Sequence, residues 1–485
     1  MLIALPFIAN SVLSFVVGLL VAKLLGPTEY GKFALAFSIA VVVETLAFEW
    51  LRLSALRFYS ESERRTHPQI RATLNAAFGA VAAALFSGAA LAFALRPPLA
   101  PSSDLAALAG VAAVSSGAFD LAAGLARARF QDRVYAALVV SKNLLALALM
   151  GGGAWAFGSA DAAMIGFILC AFGSVACVWR ALRDPAAARV RPQRAVARLF
   201  AAYAAPIVAA NLLYQLVPML NRWQAAETLD YARSGQLALA FEVGVRVIGA
   251  VGSSLDVVLF QLAVHSEKTE GLSQARARVG RNIGAVVAIV LPAAVGLWAV
   301  SPSFELLLVP ESFRGPFAHY FALMLPALIA FAIMNYALYP LFQIERRTLP
   351  LAAAALVGLV ADLVALALLP AGADASKYAI AQSVSSVAGL AALLVAIAAM
   401  ARAQPDGGRA FRPRARDLVG AMVGAAAMLA AIWPLRALSP GLLTLSTQII
   451  LGALVYGLAL WALNVADLRT LVRARRPRPT GGPHE

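Results

Sequence analysis

The sequence predicts an all-α polytopic membrane protein of about fourteen transmembrane helices, and three observations carry that prediction. The chain of 485 residues is 61% hydrophobic and only 13% charged, with a mean hydropathy of +0.78. A soluble domain holds about 25% charged residues. Its apolar residues fall into runs long enough to cross a hydrocarbon core about 30 Å thick, which takes roughly 20 residues of helix. Thirty of the forty Lys and Arg residues sit in every second connection between those runs. That alternation predicts orientation, because connections kept in the cytoplasm retain positive charge and translocated ones are depleted of it.

In chain order the runs are 2–22, 33–51, 72–95, 105–126, 134–157, 161–180, 200–221, 235–260, 282–301, 320–343, 350–370, 376–401, 417–437 and 442–463. They are rich in Gly, Ala and Leu and rarely alternate apolar with polar, which favours helices over a β-barrel. The basic connections are Arg52 to Arg71, Arg127 to Arg133, Arg180 to Arg198, Lys268 to Arg281, Arg346 with Arg347, Arg402 to Arg416, and Arg469 to Arg478. The intervening ones hold one or two cations each, among them Lys23, Lys32, Arg222 and Arg233, and the one around Asp161 holds none. Only Lys142 and Arg246 fall well inside runs. An even number of spans with this pattern predicts cytoplasmic N- and C-termini.

Other classes fit poorly. The net charge of +15 invites a nucleic-acid reading, but the basic residues border apolar helices and no aromatic-interleaved soluble module accompanies them. Threading and anionic headgroups explain them instead. Cys170 and Cys177 share one apolar run and show neither disulfide nor metal spacing. His67, His265, His319 and His484 are scattered through connections and the tail. No paired carboxylates, metal-ligand spacing or phosphate-cradling Gly-rich loop occurs, so no catalytic residue, metal or cofactor is predicted and the chain does not read as an enzyme. The first run lacks a basic leader and a small-residue cleavage site, so it reads as a span rather than a signal peptide.

No connection is long enough for a folded extramembrane domain. The longest run on the outer side, Ser301 to His319, contains an apolar stretch from Phe304 to Val309 that suits the membrane interface. The two halves echo each other. Ala4, Pro6, Asn10, Tyr30 and Ala34 to Phe37 recur as Ala204, Pro206, Asn211, Tyr231 and Ala238 to Phe241, at an offset drifting from 200 to 204. Phe130-Gln131 leading into Asn143 to Leu149 recurs as Phe342-Gln343 leading into Asp362 to Leu368. The shared order predicts a duplication with two parallel six-helix copies, an arrangement suited to lobes that rock about a site between them. The expected organisation is an N-terminal six-helix lobe at 1–180, a basic cytoplasmic linker at 181–199, and a pseudo-symmetric C-terminal six-helix lobe at 200–401. Two additional helices at 402–463 and a cytoplasmic tail at 464–485 complete the chain.

The run AKLLGPTEYGKFALA from Ala22 to Ala36 resembles the signature of bacterial polysaccharide transporters. These are the Wzx-type O-antigen flippases of the multidrug/oligosaccharidyl-lipid/polysaccharide exporter superfamily. Gly26, Pro27 and Gly31 suit a tight turn between antiparallel helices whatever the family. The resemblance extends to the basic end of span two (Arg52 to Arg57), the short connection from Arg129 to Arg133 and the fourteen-span layout.

It implies a flippase of the bacterial inner membrane that moves an undecaprenyl-diphosphate-linked oligosaccharide outward by alternating access. The product would be a surface polysaccharide (O-antigen, exopolysaccharide or capsule). Implied partners are the lipid-linked oligosaccharide, membrane lipids, a coupling proton or sodium ion, and the polysaccharide polymerase and glycosyltransferases of the same pathway. Span one carries Asn10 and no charge, unlike the Arg-x-x-Asp arrangement of lipid II flippases. The alternatives are a cation-coupled drug antiporter of the same superfamily and a polytopic polymerase or ligase. A polymerase usually carries a large outer loop, and the longest outer loop here is under twenty residues.

Ionisable residues inside spans cost roughly 2.5–3.5 kcal/mol each at the helix centre and demand a reason. Arg246, near mid-depth in span eight, is the main candidate for a diphosphate headgroup, since a guanidinium fork matches phosphate oxygens. Glu242, one turn earlier, either neutralises Arg246 or shares in the site. Asn10, Asn211 and Gln215 offer polar groups to sugars or to neighbouring helices, and Arg52 suits capture of the diphosphate at the cytoplasmic mouth. Glu44 in span two and Asp256 in span eight are candidate ion-coupling carboxylates, the alternative for Glu44 being a hydrogen bond to Asn10 or a serine. Glu49 reads as an interface anchor or a partner of Arg52. Lys142 and Asp362 occupy corresponding spans and either pair across the lobes or stand in the cavity wall.

Overall fold

A computed structural model describes residues 4–95, 102–270, 272–344, 349–370, 372–402 and 414–465, with side chains described except at 4–12, 251, 253–282, 340, 343 and 344. Among the described residues there are helices and no strands. The first helix, α1 (Ala4–Ala47), is 44 residues long, about 66 Å at 1.5 Å per residue and therefore twice the thickness of a hydrocarbon core. It breaks where a glycine allows it: Gly26 takes φ 68°, a left-handed conformation, and Pro27 opens the second segment.

Two short helices follow, α2 (Glu49–Phe58) and α3 (Glu61–Thr66), the latter capped by Ser60, whose hydroxyl accepts the Glu63 N–H. Next come α4 (Pro68–Leu95), α5 (Ser103–Ala128) and α6 (Asp132–Leu145). The last continues through a π-helical turn, Ala146–Gly151, into α7 (Gly152–Phe157). The first half ends with α8 (Ala160–Leu182), and the chain continues with α9 (Arg194–Thr228), α10 (Tyr231–Glu270), α11 (Leu272–Ala299), α12 (Ser301–Leu308), α13 (Pro316–Ile333) and α14 (Tyr339–Ile344). The chain ends with α15 (Leu349–Leu368), α16 (Ser376–Arg402), α17 (Ala415–Ile432) and α18 (Leu442–Ala462).

Eleven of these segments are long and apolar enough to span a bilayer. The broken α1 counts among them once, and adding its second segment, α10 and α11 accounts for all fourteen runs of the sequence. The chain is a multi-pass α-helical membrane protein. The apolar stretch after span nine forms α12, bent by 72° from the helix before it. Pro302 in its first turn cannot extend α11, because it lacks the N–H that would continue the ladder.

The packing divides the chain into two compact units. The first comprises 1–246, 308–327 and 347–392, and the second 247–307, 328–346 and 393–485. This grouping cuts across the division by sequence repeat, because α9, the first helix of the second half, packs on α1, α2 and α4. Within the first unit, α5 is central, lying against α1, α4 and α8. Its core includes Phe48, Leu51, Leu74, Leu121, Leu125, Leu138 and Phe200. In the second unit α17 packs between α11 and α18. Gly420 and Gly424 on α17 face Val465 and Tyr456, the small-residue contact by which helices approach closely in lipid.

The motif glycines divide their labour differently from the sequence expectation. Gly26 makes the turn, but Gly31 makes a helix crossing. A methyl group on Gly31 would stand 1.8 Å from the Tyr231 carbonyl oxygen, and one on Gly235 would stand 2.3 Å from the Pro27 carbonyl oxygen. Gly31 and Gly235 are 204 positions apart, the offset of the Ala34/Ala238 echo. The two glycines at that offset therefore pack against each other.

Candidate functional site: a cationic cavity among the spanning helices

The first unit encloses a cavity of about 170 Å³ lined by both segments of α1, by α6 and its π-helical turn, and by α8, α9 and α10. Its charged residues are Lys142, Arg222, Glu242 and Arg246, three cations against one carboxylate. Arg246 extends from α10 to α1, where its Nη1 donates to the Ser14 backbone carbonyl and, at 3.0 Å, to the Ser14 hydroxyl. Gly18 makes room for it: a Cβ there would lie 3.1 Å from Nη1. Its Nε stands 3.9 Å from Glu242, and its side chain keeps 34% exposure.

Arg222 is the residue that sequence reasoning misassigned. The apolar run ends at Leu220 and Asn221, which by sequence places Arg222 in an outer connection. The helix runs on to Thr228, so Arg222 is carried into the packed interior, with a side chain only 6% exposed. Its Nη2 donates to Glu242 at 2.9 Å and its Nη1 to the Ser38 hydroxyl at 2.5 Å. Glu242 is therefore held more closely by Arg222 than by Arg246, a partner the sequence does not indicate, and it also stands in the cavity lining. No local sequence signal marks this pair, since the two residues lie on different helices.

Lys142 projects toward aromatic rings, its ammonium 3.9 Å from the centroid of Phe119 and 5.8 Å from that of Phe167, a cation–π setting. It does not pair with Asp362. That carboxylate is fully buried between α15 and α9 and accepts the Asn221 amide at 2.9 Å. The Lys142 helix packs instead on α1, α5 and α8, which removes the two residues from each other's reach.

A second polar group forms where the second segment of α1 passes into α2. Glu49, buried, accepts from Arg52 at 2.6 Å and from the Asn211 amide at 2.8 Å. Arg52 also lies 4.0 Å from Asp120. Arg52 and Asn211 thus bind Glu49 and do not line the cavity; of the two readings of Glu49, the pair with Arg52 is the one observed. Glu44, one turn earlier, has its Oε1 buried with no hydrogen-bond partner among the described residues, so no serine bond satisfies it. Gln215 is exposed and outside the cavity lining. The side chains of Asn10 and Asp256 lie outside the described residues.

The arrangement can hold an anion. Three cations and one carboxylate in a membrane interior leave two positive charges in excess, and charge in low dielectric demands a counter-charge. The π-helical turn beside Lys142 is a feature common at functional sites.

No family model and no curated protein sequence matches the chain. Solved structures do. The structure titled lipid II flippase MurJ in an inward closed conformation matches with a TM-score of 0.70 at 13% identity, covering 97% of this chain and all of that one. An inward-facing multidrug resistance MATE family transporter of the MOP superfamily matches with a TM-score of 0.58 at 13% identity, over 81% of this chain and 96% of that one. The chain therefore has the fold shared by the lipid II flippase and the MATE transporter, a multi-pass bundle of membrane-spanning helices.

Proposed function

We propose that the chain is a flippase that carries an undecaprenyl-diphosphate-linked oligosaccharide from the cytoplasmic to the outer leaflet of the bacterial inner membrane for surface-polysaccharide assembly. The observation that carries the reading is the excess of cations in the cavity, with Arg246 only partly committed to protein partners. A diphosphate supplies the anionic oxygens such a cavity lacks, and guanidinium binds them bidentately. The fold is that of structures titled as a lipid-substrate flippase and a multidrug transporter. A drug-cation antiporter would want an acidic cavity, so the basic one favours the lipid diphosphate.

The observed volume of about 170 Å³ is below the roughly 300–1,000 Å³ of ligand sites. Entry of the headgroup therefore requires the cavity to widen, which is the step alternating access provides. Glu44, with its buried oxygen, is the candidate coupling site. The test is complementation of polysaccharide export in a strain lacking this protein. Arg246→Ala abolishes export at unchanged protein level, and full export in that variant removes the headgroup assignment.

A further inference from the structure

A second cavity in the first unit shares no residue with the first. It measures about 700 Å³ and lies among α4, α5 and α8, bordered by the segment that leaves α8. Its composition is graded along the helices. Arg71 stands in the first turn of α4, and Arg183 and Arg189 follow the last turn of α8. About two turns further in, the walls are Phe78, Leu121 and Val175.

Arg71 is the informative residue. Its Nε and Nη1 are buried, and no hydrogen-bond partner reaches them among the described residues. Asp184, the carboxylate on the same cavity, is committed elsewhere. It accepts from the Tyr59 hydroxyl at 2.7 Å and from Arg64 at 3.3 Å. The face of the Tyr59 ring, 5.9 Å away, is a contact of the guanidinium but offers those two N–H groups no acceptor oxygen. Buried donors without an acceptor are costly, so Arg71 leaves donor capacity that the described residues do not meet. The bordering segment is held in place, since the Gln193 N–H donates to the Thr73 hydroxyl on α4 at 3.0 Å. Trp179, 58% exposed, stacks with Arg183 at 5.4 Å, the pairing of aromatic and cation found at membrane–water boundaries.

We propose that this cavity binds an anionic phospholipid. Its phosphate oxygens accept from Arg71, Arg183 and Arg189 add positive charge at the opening, and the first methylenes of an acyl chain lie against Phe78, Leu121 and Val175. Basic pockets between spanning helices are a known chemistry for anionic headgroups, and the volume falls within the roughly 300–1,000 Å³ of ligand sites. A free anion would match the cations but leave the apolar walls without a role. The lipid is a resident of the protein and is distinct from the transported molecule, so the inference does not depend on the proposed transport activity.

The test is native mass spectrometry of the full chain, released from detergent with phosphatidylglycerol, phosphatidylcholine or inorganic phosphate added. The expected result is retention of phosphatidylglycerol over phosphatidylcholine. Retention falls about tenfold in Arg71→Met and is unchanged in Arg246→Ala. Ala118→Trp fills the cavity from α5 without touching the guanidinium and gives the same loss, which decides the matter if Arg71→Met does not fold. Wild-type retention in both folded variants, or equal retention of the two lipids, overturns the proposal. Displacement by inorganic phosphate alone assigns the site to a soluble anion and overturns the lipid assignment.

Discussion

Arg222 and Arg246 share one carboxylate, yet their settings predict opposite phenotypes. The Arg222 side chain is 6% exposed and 2.9 Å from Glu242, whereas Arg246 is 34% exposed and 3.9 Å away. Removing one partner of a buried pair costs about 3–5 kcal/mol, because the other charge stays buried without its neutraliser. Arg222→Ala should therefore destabilise the protein by an amount of that order. A partly exposed pair at 3.9 Å contributes at most about 1 kcal/mol, and water in the cavity can take over the bonds to Ser14, so Arg246→Ala should stay much closer to the wild type than Arg222→Ala. Binding should reverse the order. A charge-assisted hydrogen bond to a diphosphate is worth about 1.5–3 kcal/mol, so its loss weakens binding about 10- to 100-fold.

The assay is thermal unfolding of the purified protein in detergent, paired with titration of a lipid diphosphate. Arg222→Ala should lower Tm substantially, and Arg246→Ala should lower affinity at nearly wild-type Tm. If Arg246→Ala unfolds as readily as Arg222→Ala and still binds the diphosphate normally, the division of roles is wrong.

Other consequences are equally direct. Gly31→Ala places a methyl 1.8 Å from a backbone oxygen; it should cost about 1–3 kcal/mol or more by forcing the crossing helices apart, read as a fall in Tm, while Gly79→Ala, which meets nothing within 4 Å, should be neutral. Burial alone would raise the Asp184 carboxyl, but its bonds from Tyr59 and Arg64 outweigh that and hold it below the usual carboxylate range. A depressed carboxylate contributes stability that is present above its unfolded pKa of about 4 and lost as pH falls toward its folded value. Unfolding curves of wild type and Asp184→Asn should therefore converge on acidification below about pH 4, and a constant gap down to lower pH would refute the assignment. Glu44→Gln should abolish the pH or sodium dependence of transport while sparing diphosphate binding; retained ion dependence would exclude Glu44 as the coupling site. A periplasm-active reporter should be silent when fused after Pro192 and active near Phe313, and the reverse pattern would invert the topology.

Much of this protein is determined by its sequence alone. Span number, helical class and expected orientation follow from transfer free energy and charge bias, which are properties of local composition and need no tertiary contact. The Gly26 break is equally local, because it is a conformation of one residue. The echo between halves is likewise a feature of the sequence, whereas the close approach of Gly31 and Gly235 is visible only in the packing.

The site was only half legible. Arg246 stood out because topology did not require it, and Glu242 because it lies one turn away. Arg222 did not, since its role depends on how far α9 continues and on which helix brings a carboxylate to it. Asn211 looked available to a substrate until packing brought it to Glu49, whereas the Glu49 partner of Arg52 lies three residues away in the same helix. Composition decides how many charges a membrane protein carries in its spans; tertiary structure decides which of them are already answered, because a partner such as Glu242 for Arg222 lies across the packing, beyond the reach of local spacing that shows Glu49 beside Arg52.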